Sequence, residues 1–245
     1  MKFNTKFVEK LKSAKKLVFF TGAGISAESG IATFRGVDGI WNKMKPEELA
    51  SFSAFMKNPN LVWEWYQQRR DILRKVEPNA GHKAIAELEN YYDVTVVTQN
   101  VDNLHKRAGS TTIYELHGNI ERNFCVDCRT FVPESHFAGN KVPACEKCGG
   151  LIRPDVVWFG ENLPQDQFSA GETAAEWSDI CFVVGTSAVV FPAAYIPQSA
   201  KRAGSYLVEI NIEPTELSRF VNYSIFGKAG EILPQILDLV RENNK

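Results

Sequence analysis

Five short runs of this chain are apolar at nearly every position: Leu17–Phe20, Val94–Thr98, Thr112–Leu116, Ile180–Val184 and Tyr206–Ile210. A strand with one wet face alternates apolar and polar residues, so runs without alternation belong to strands covered on both sides. Between them, Asn60–Val76, Gly81–Glu89, Pro164–Trp177 and Pro192–Ala203 carry helical periodicity, and Glu231–Glu242 closes the chain. Strands alternating with helices imply a doubly wound, parallel, Rossmann-like α/β sheet. Two inserts interrupt the pattern, a helical one at 31–80 and a cysteine-bearing one at 120–155. Segments 1–30, 81–119 and 156–245 remain for the sheet domain. At 245 residues and 44% apolar, the chain can build one large core with small attachments.

Open parallel sheets bind ligands beyond the carboxyl ends of their strands. Those ends carry unusual residues here: Thr21-Gly22-Ala23-Gly24, Gln99-Asn100-Val101-Asp102, His117-Gly118, Gly185-Thr186-Ser187 and Asn211-Ile212-Glu213. Gly22-Ala23-Gly24-Ile25-Ser26-Ala27 matches the G-x-G-x-x-G/A loop that admits a pyrophosphate to a helix N-terminus, although a tight strand-to-helix turn needs the same glycines. A dehydrogenase would add an acid at the end of a second strand about 20 residues on. Residues 31–50 show no such strand, which leaves Glu213 or Asn211 for an adenosine ribose. A dinucleotide bound in a non-dehydrogenase manner is the expectation. Asn100 and Asp102 offer the donors and acceptors that hold a carboxamide such as nicotinamide, but Asp102 could equally cap a helix at 103–108. His117 ends a strand and precedes a glycine, which opens its imidazole to the cleft as a general base near neutral pH. His82, His105 and His136 lack that placement; His105 reads as structural and His136 as surface.

Cys125/Cys128 and Cys145/Cys148 form two C-x2-C units separated by 16 residues. Two such clamps complete a tetrahedron around a structural Zn²⁺, with free pairs or disulfides as the alternatives. A closed four-thiolate site cannot do chemistry, so the metal is scaffold. Cys181 lies inside an apolar run and reads as a buried strand residue. The balance of 28 Lys+Arg against 29 Asp+Glu gives no general attraction to nucleic acid or membrane. Residues 1–16 hold six lysines, with Phe3, Phe7, Leu11 and Ala14 at helical spacing, as in an amphipathic helix with a solvated lysine face. No apolar run is long enough to span a bilayer and the start lacks a signal-peptide core, so a soluble, cytoplasmic monomer is expected. Reduced thiols there would suit zinc ligation.

Taken in order, Gly22-Ala23-Gly24-Ile25-Ser26, Phe34-Arg35-Gly36, Thr98-Gln99-Asn100-Val101-Asp102, Leu116-His117-Gly118, the cysteine quartet, Gly185-Thr186-Ser187 and Asn211-Ile212-Glu213 resemble the sirtuins, NAD-dependent protein-lysine deacylases. The resemblance covers almost the whole chain and is nearest to the bacterial and archaeal short forms; Val101 stands where the family commonly has isoleucine. It implies that Gly22, Ala23 and Gly24 face the NAD pyrophosphate with Ala27 nearby. Phe34 and Arg35 would lie on a mobile loop over the reacting ribose, bordered by Trp41. Gln99, Asn100, Val101 and Asp102 would line the ribose–nicotinamide pocket. Gly185, Thr186 and Ser187 would hold phosphate and ribose, Asn211, Ile212 and Glu213 the adenosine end, and Ala229 the adenine.

Val157-Trp158-Phe159-Gly160 matches the segment that pairs, strand-like, with an acyl-lysine peptide. In the implied reaction the acyl oxygen attacks the anomeric carbon as nicotinamide leaves, and His117 then takes a proton from a ribose hydroxyl. The products are free lysine and O-acyl-ADP-ribose. Tyr66 and Arg69, i and i+3 on one helix, resemble the branch that removes succinyl, malonyl and glutaryl groups, where they would grip the distal carboxylate; the alternative is an aromatic core stripe with a surface arginine. An ADP-ribose sensor, a dehydrogenase and an ADP-ribosyl transferase are the competing classes.

Overall fold

The computed structural model describes residues 2–33, 45–133, 139 and 141–243. Phe34, Arg35, Trp41 and His136 lie outside the described residues. The chain opens with α1 (Thr5–Ser13), capped where the Asn4 side chain accepts from the Lys6 N–H, and continues into β1 (Lys16–Thr21) and a 3-10 helix, Ala23–Ser29. The helical insert holds α2 (Pro46–Leu49), α3 (Phe52–Lys57) and α4 (Pro59–Leu73), the last started by an Asn58 cap and a proline at its first position. Then come α5 (Ala80–Leu88), β2 (Asp93–Thr98), α6 (Leu104–Ala108) and β3 (Ile113–Glu115). The cysteine insert contains β4 (Gly118–Cys125), β5 (Phe131–Pro133) and β6 (Ile152–Val156). The chain ends with α7 (Gln165–Glu176), β7 (Ile180–Val184), α8 (Tyr195–Ala203), β8 (Tyr206–Asn211), β9 (Tyr223–Phe226) and α9 (Ala229–Asn243).

Six parallel strands form the main sheet in the order β3-β2-β1-β7-β8-β9. The order reverses between β1 and β7, which places the switch point, and hence the natural ligand crevice, at their carboxyl ends. β1 shows why its run had to be continuously apolar. Leu17 and Phe19 pack on one face with α1, α5 and α9; Val18 and Phe20 pack on the other with α7 and α8. Phe19 stacks on Phe182 of β7 at 4.7 Å between ring centroids. The amphipathic reading of the N-terminus holds, with Phe7 and Leu11 buried.

Two elements went unforeseen. β9 is an edge strand, half exposed, with no continuous apolar run to mark it. The cysteine insert is built on an antiparallel sheet, β5-β4-β6, that starts at Gly118, directly after His117. The two inserts are packed as one body. Phe55, Val62 and Tyr66 of the helical insert share a buried cluster with Ile120 and Trp158. Arg70, only 1% exposed, donates from Nε to the Ile120 carbonyl at 2.6 Å and from a terminal nitrogen to Asn123 Oδ1 at 2.6 Å. Among the described residues no helix is long and apolar enough to cross a membrane.

Candidate active site

The loops after β1 and β7 touch through glycine. The Gly22 N–H donates to Val184 O at 3.0 Å and the Gly24 N–H to Gly185 O at 2.8 Å. A Cβ on Gly24 would stand 2.7 Å from the Gly185 Cα, and one on Gly22 would stand 2.6 Å from the Thr186 Cβ. Gly185 itself sits at φ +58°. Loop packing alone therefore demands these glycines, the second of the two readings the motif allowed. The loop leads into a seven-residue 3-10 helix ended by Gly30 at φ +90°, in place of the expected α-helix N-terminus.

A buried polar cluster lies beneath this crossing. Ser26 Oγ donates to Asp102 Oδ2 at 2.6 Å, while Asn100 Nδ2 donates to the Gly22 carbonyl at 3.1 Å and to Ser26 Oγ at 3.2 Å. Asp102 Oδ1 also accepts from the Leu104 N–H at 3.0 Å. The capping reading of Asp102 is thus realised on one oxygen, with the other turned to the glycine loop. Burial pushes its carboxyl above the usual range, against the bonds from Ser26 and Leu104 and the charge of Arg69.

His117 Nδ1 lies 2.9 Å from the Gln99 carbonyl. A carbonyl only accepts, so Nδ1 carries the proton and Nε2 keeps its lone pair. Burial holds the imidazole below its ordinary pKa, opposed by the Gln99 bond, which leaves a neutral base at pH 7. Gln99 also donates from Nε2 to Thr186 Oγ1 at 3.1 Å, and Asn211 Nδ2 donates to the Thr186 carbonyl at 3.2 Å. Three strand ends are laced together by the residues singled out at each. Val101 is half-buried and its carbonyl accepts from Ile120, whereas Ala27, Ser187, Ile212 and Glu213 are exposed and Ala229 is buried at the start of α9.

The Val157–Gly160 segment runs from the His117 carbonyl, which accepts the Val157 N–H at 2.9 Å, to Ala50, whose carbonyl accepts the Phe159 N–H at 2.9 Å. Trp158 is 1% exposed, while Phe159 is 49% exposed. The Trp158 indole donates to the Tyr66 hydroxyl at 2.8 Å. Tyr66 is a core residue, its phenol pushed up to about 12 by burial, yet accepting one bond leaves its own O–H to donate. Arg69 is half-buried, 5.0 Å over the Trp65 ring, and desolvation lowers its pKa against the opposing charges of Tyr66 and Asp102. At i and i+3 the helix puts both residues on one side, and Arg69 is close enough to Tyr66 and Asp102 to feel their charges.

The four insert cysteines are free thiols whose Sγ atoms all lie within 4.8 Å of one another, with Cys125–Cys148 at 3.4 Å and Cys128–Cys145 at 3.7 Å. These separations exclude disulfides, about 2.05 Å long, and approach the roughly 3.8 Å edge of a tetrahedron with Zn–S bonds of about 2.3 Å. The cluster fits a structural Zn²⁺.

Sequence reasoning gave no site role to Ser26, although it lies inside the glycine loop, nor to His82, which carried no signal. His82 Nε2 is 3.4 Å from Ser26 Oγ, and its ring meets His105 edge-on at 4.9 Å. His105 Nε2 reaches Thr21 Oγ1 at 3.0 Å, as its structural reading anticipated.

Fold and site define an α/β protein whose polar loops gather at the switch point of a parallel sheet, beside a subdomain whose four cysteines fit a zinc ion. The Sir2 family profile matches residues 22–192. The "NAD-dependent protein deacylase 2" of Pyrobaculum aerophilum is 52% identical over 94% of this chain and 93% of its own length. The "NAD-dependent protein deacylase" of Pyrococcus furiosus is 48% identical over 96% of this chain and 97% of its own. A Sir2 homologue solved with NAD superposes with TM-score 0.93 at 43% identity, over 100% of this chain and 96% of that one. A Sir2 solved with a p53 peptide and NAD⁺ gives 0.85 at 32% identity, over 97% and 98%. The chain belongs to the Sir2 family.

Proposed function

We propose that the chain is an NAD-dependent protein deacylase that releases lysine, nicotinamide and O-acyl-ADP-ribose. The observation that carries this is His117, its Nδ1–H tied to the Gln99 carbonyl and its Nε2 free, at the same carboxyl edge of the sheet as the Ser26–Asn100–Asp102 cluster. NAD, when bound, supplies the electrophilic ribose carbon and the acceptor hydroxyls. Asn100 and Asp102 would hold the carboxamide end, Gly22 to Gly24 the pyrophosphate, and Thr186 with Asn211 and Glu213 the adenosine end. His117 removes a ribose proton through Nε2, and its neutral form at pH 7 suits that role. The acyl-lysine segment would pair along Val157–Gly160. The solved Sir2 complex with p53 peptide and NAD⁺ supports a peptide as substrate. This reading gives the cofactor to segments 1–30, 81–119 and 156–245, and the acyl end to the cleft they form with inserts 31–80 and 120–155. The four-thiolate cluster holds Zn²⁺ as scaffold, which suits a reducing compartment such as the cytoplasm.

Within this reading the favoured acyl group ends in a carboxylate, as in succinyl or malonyl. Arg69 and Tyr66 support it, a half-buried guanidinium and a phenol with a free O–H on one helical face. One charge-assisted hydrogen bond is worth about 1.5–3 kcal/mol, roughly 10- to 150-fold. Purified protein is offered acetyl- and succinyl-lysine peptides with NAD. Succinyl should win in kcat/KM, and Arg69→Met should cut desuccinylation by at least about 10-fold with deacetylation nearly unchanged. Equal loss of both activities would make Arg69 a packing residue. His117→Ala should abolish deacylation more severely than exchange of labelled nicotinamide, and absence of acyl-dependent nicotinamide release by the wild type would sink the whole reading.

A further inference from the structure

Beyond the cofactor cleft, a groove of about 910 Å³ runs between the three-stranded sheet and the start of α7. That is room for several amino-acid side chains. It is lined by Phe124, Phe131 and Arg153 from the sheet and by Leu163 and Asp166 across from it, and it shares Val157 and Gly160 with the peptide segment. Most of its charges are already matched. Arg122 contacts Glu115 at 2.6 Å and Asp155 at 2.8 Å, and Arg153 makes a two-pronged pair with Glu161 at 2.5 and 2.9 Å. Two charges remain, one at each side. Arg129 is exposed, 4.2 Å over the Phe124 ring, and makes no ion pair among the described residues. Asp166, exposed in the first turn of α7, meets the Gln167 side-chain amide at 2.9 Å and makes no ion pair among the described residues. Phe131, 66% exposed, stands beside Phe124 with ring centroids 6.3 Å apart and makes the Arg129 side aromatic as well as cationic.

We propose that this groove is a second subsite that reads the residues flanking the acyl-lysine: an acidic residue with an apolar neighbour at the Arg129–Phe131 side and a basic residue at the Asp166 side. It rests on the deacylase reading and adds a substrate class to it. Continuity carries the argument. A peptide laid along Val157–Gly160 runs into the groove that these residues border, where two unmatched charges of opposite sign select a polarity.

The test is kcat/KM of the zinc-loaded protein on three peptides sharing one acyl-lysine, with flanks acid-then-base, base-then-acid, or uncharged. One charged order should beat the other by about 1.5- to 5-fold per engaged charge, less in high salt. The double variant Arg129→Glu with Asp166→Lys should invert that order. Should Arg129→Glu lose zinc, Asp166→Lys alone must still remove its half of the preference. Equal rates for both orders in the wild type, or variants that keep the wild-type order, overturn the groove proposal alone. A protein that turns over none of the three overturns the deacylase reading and this one with it.

Discussion

Acidification should destabilise this protein through the buried histidine beneath the glycine loop. His82 is fully buried, its Nε2 beside Ser26 Oγ and its ring against His105, and burial lowers its pKa to about 4. In the unfolded chain it titrates near the ordinary value of about 6.5. The folded pKa is the lower one, so below about 6.5 the unfolded state takes up a proton that the folded state refuses until about 4. Stability is therefore full above that window and falls as pH drops through it. The 2.5-unit gap corresponds to about 3 kcal/mol when the window is crossed completely, and to about 2 kcal/mol between pH 7.5 and 5. The perturbation is His82→Gln, whose amide can still meet Ser26 but does not titrate. Urea unfolding of both proteins at pH 7.5 and pH 5 gives two pH losses, and the wild-type loss should exceed the variant's by about 2 kcal/mol. Asp102 is common to both proteins, and His105 is lowered chiefly by its own burial with the His82 charge a smaller cause, so both largely cancel in that difference. Equal losses would show that His82 accepts its proton without unfolding, and the burial argument would fail.

Cys145→Ser should release the metal and lower the thermal transition sharply, because the binding energy of a four-thiolate site is largely folding energy; metal analysis with calorimetry checks it, and an unchanged transition refutes it. The acid limb of kcat/KM should have its midpoint below the ordinary histidine value of about 6.5, since burial depresses His117 and its neutral form is the base; a midpoint at or above that value refutes the assignment. Gly185→Ala should cost about 1–3 kcal/mol for the φ alone and more for its Cβ, which would lie 2.4 Å from the Ile25 nitrogen; an unchanged melting temperature would show that the crossing loops give way.

Burial decides which elements are legible in the sequence. β1, β2, β7 and β8 are covered on both faces and carry the continuous apolar runs that announce such strands. β4 was hidden because it interleaves Asn119, Glu121, Arg122 and Asn123 with its apolar residues. Two of these are nearly fully buried, offset by partners outside the strand: Asn119 Nδ2 donates to Asn103 Oδ1 at 3.3 Å as well as to the nearby Glu115 at 2.6 Å, and Asn123 accepts from Arg70. No local pattern encodes a buried amide whose partner is 53 residues away. The site divides the same way. Strand-end residues were legible because topology alone gathers strand ends. Ser26 and His82 were not, since their contacts join helix and loop segments that only packing brings together.

The laced strand ends also bear on why this cleft would hold a base and a carboxamide grip in register. Gln99 reaches β7 through Thr186, Asn211 reaches the same residue from β8, and Thr21 donates to Thr98 at 2.8 Å between β1 and β2. The Thr21 and Asn211 bonds tie neighbouring strands and the Gln99 bond reaches from β2 over β1 to β7, each just where the ladders run out, so the side chains beyond them inherit the rigidity of the sheet. His117 is then fixed by a main-chain carbonyl on Gln99, one of the tied residues, while its own carbonyl holds Val157 at the head of the peptide segment. The proposed base and the proposed peptide segment would thereby be positioned by the same residue, so that a shift of one moves the other.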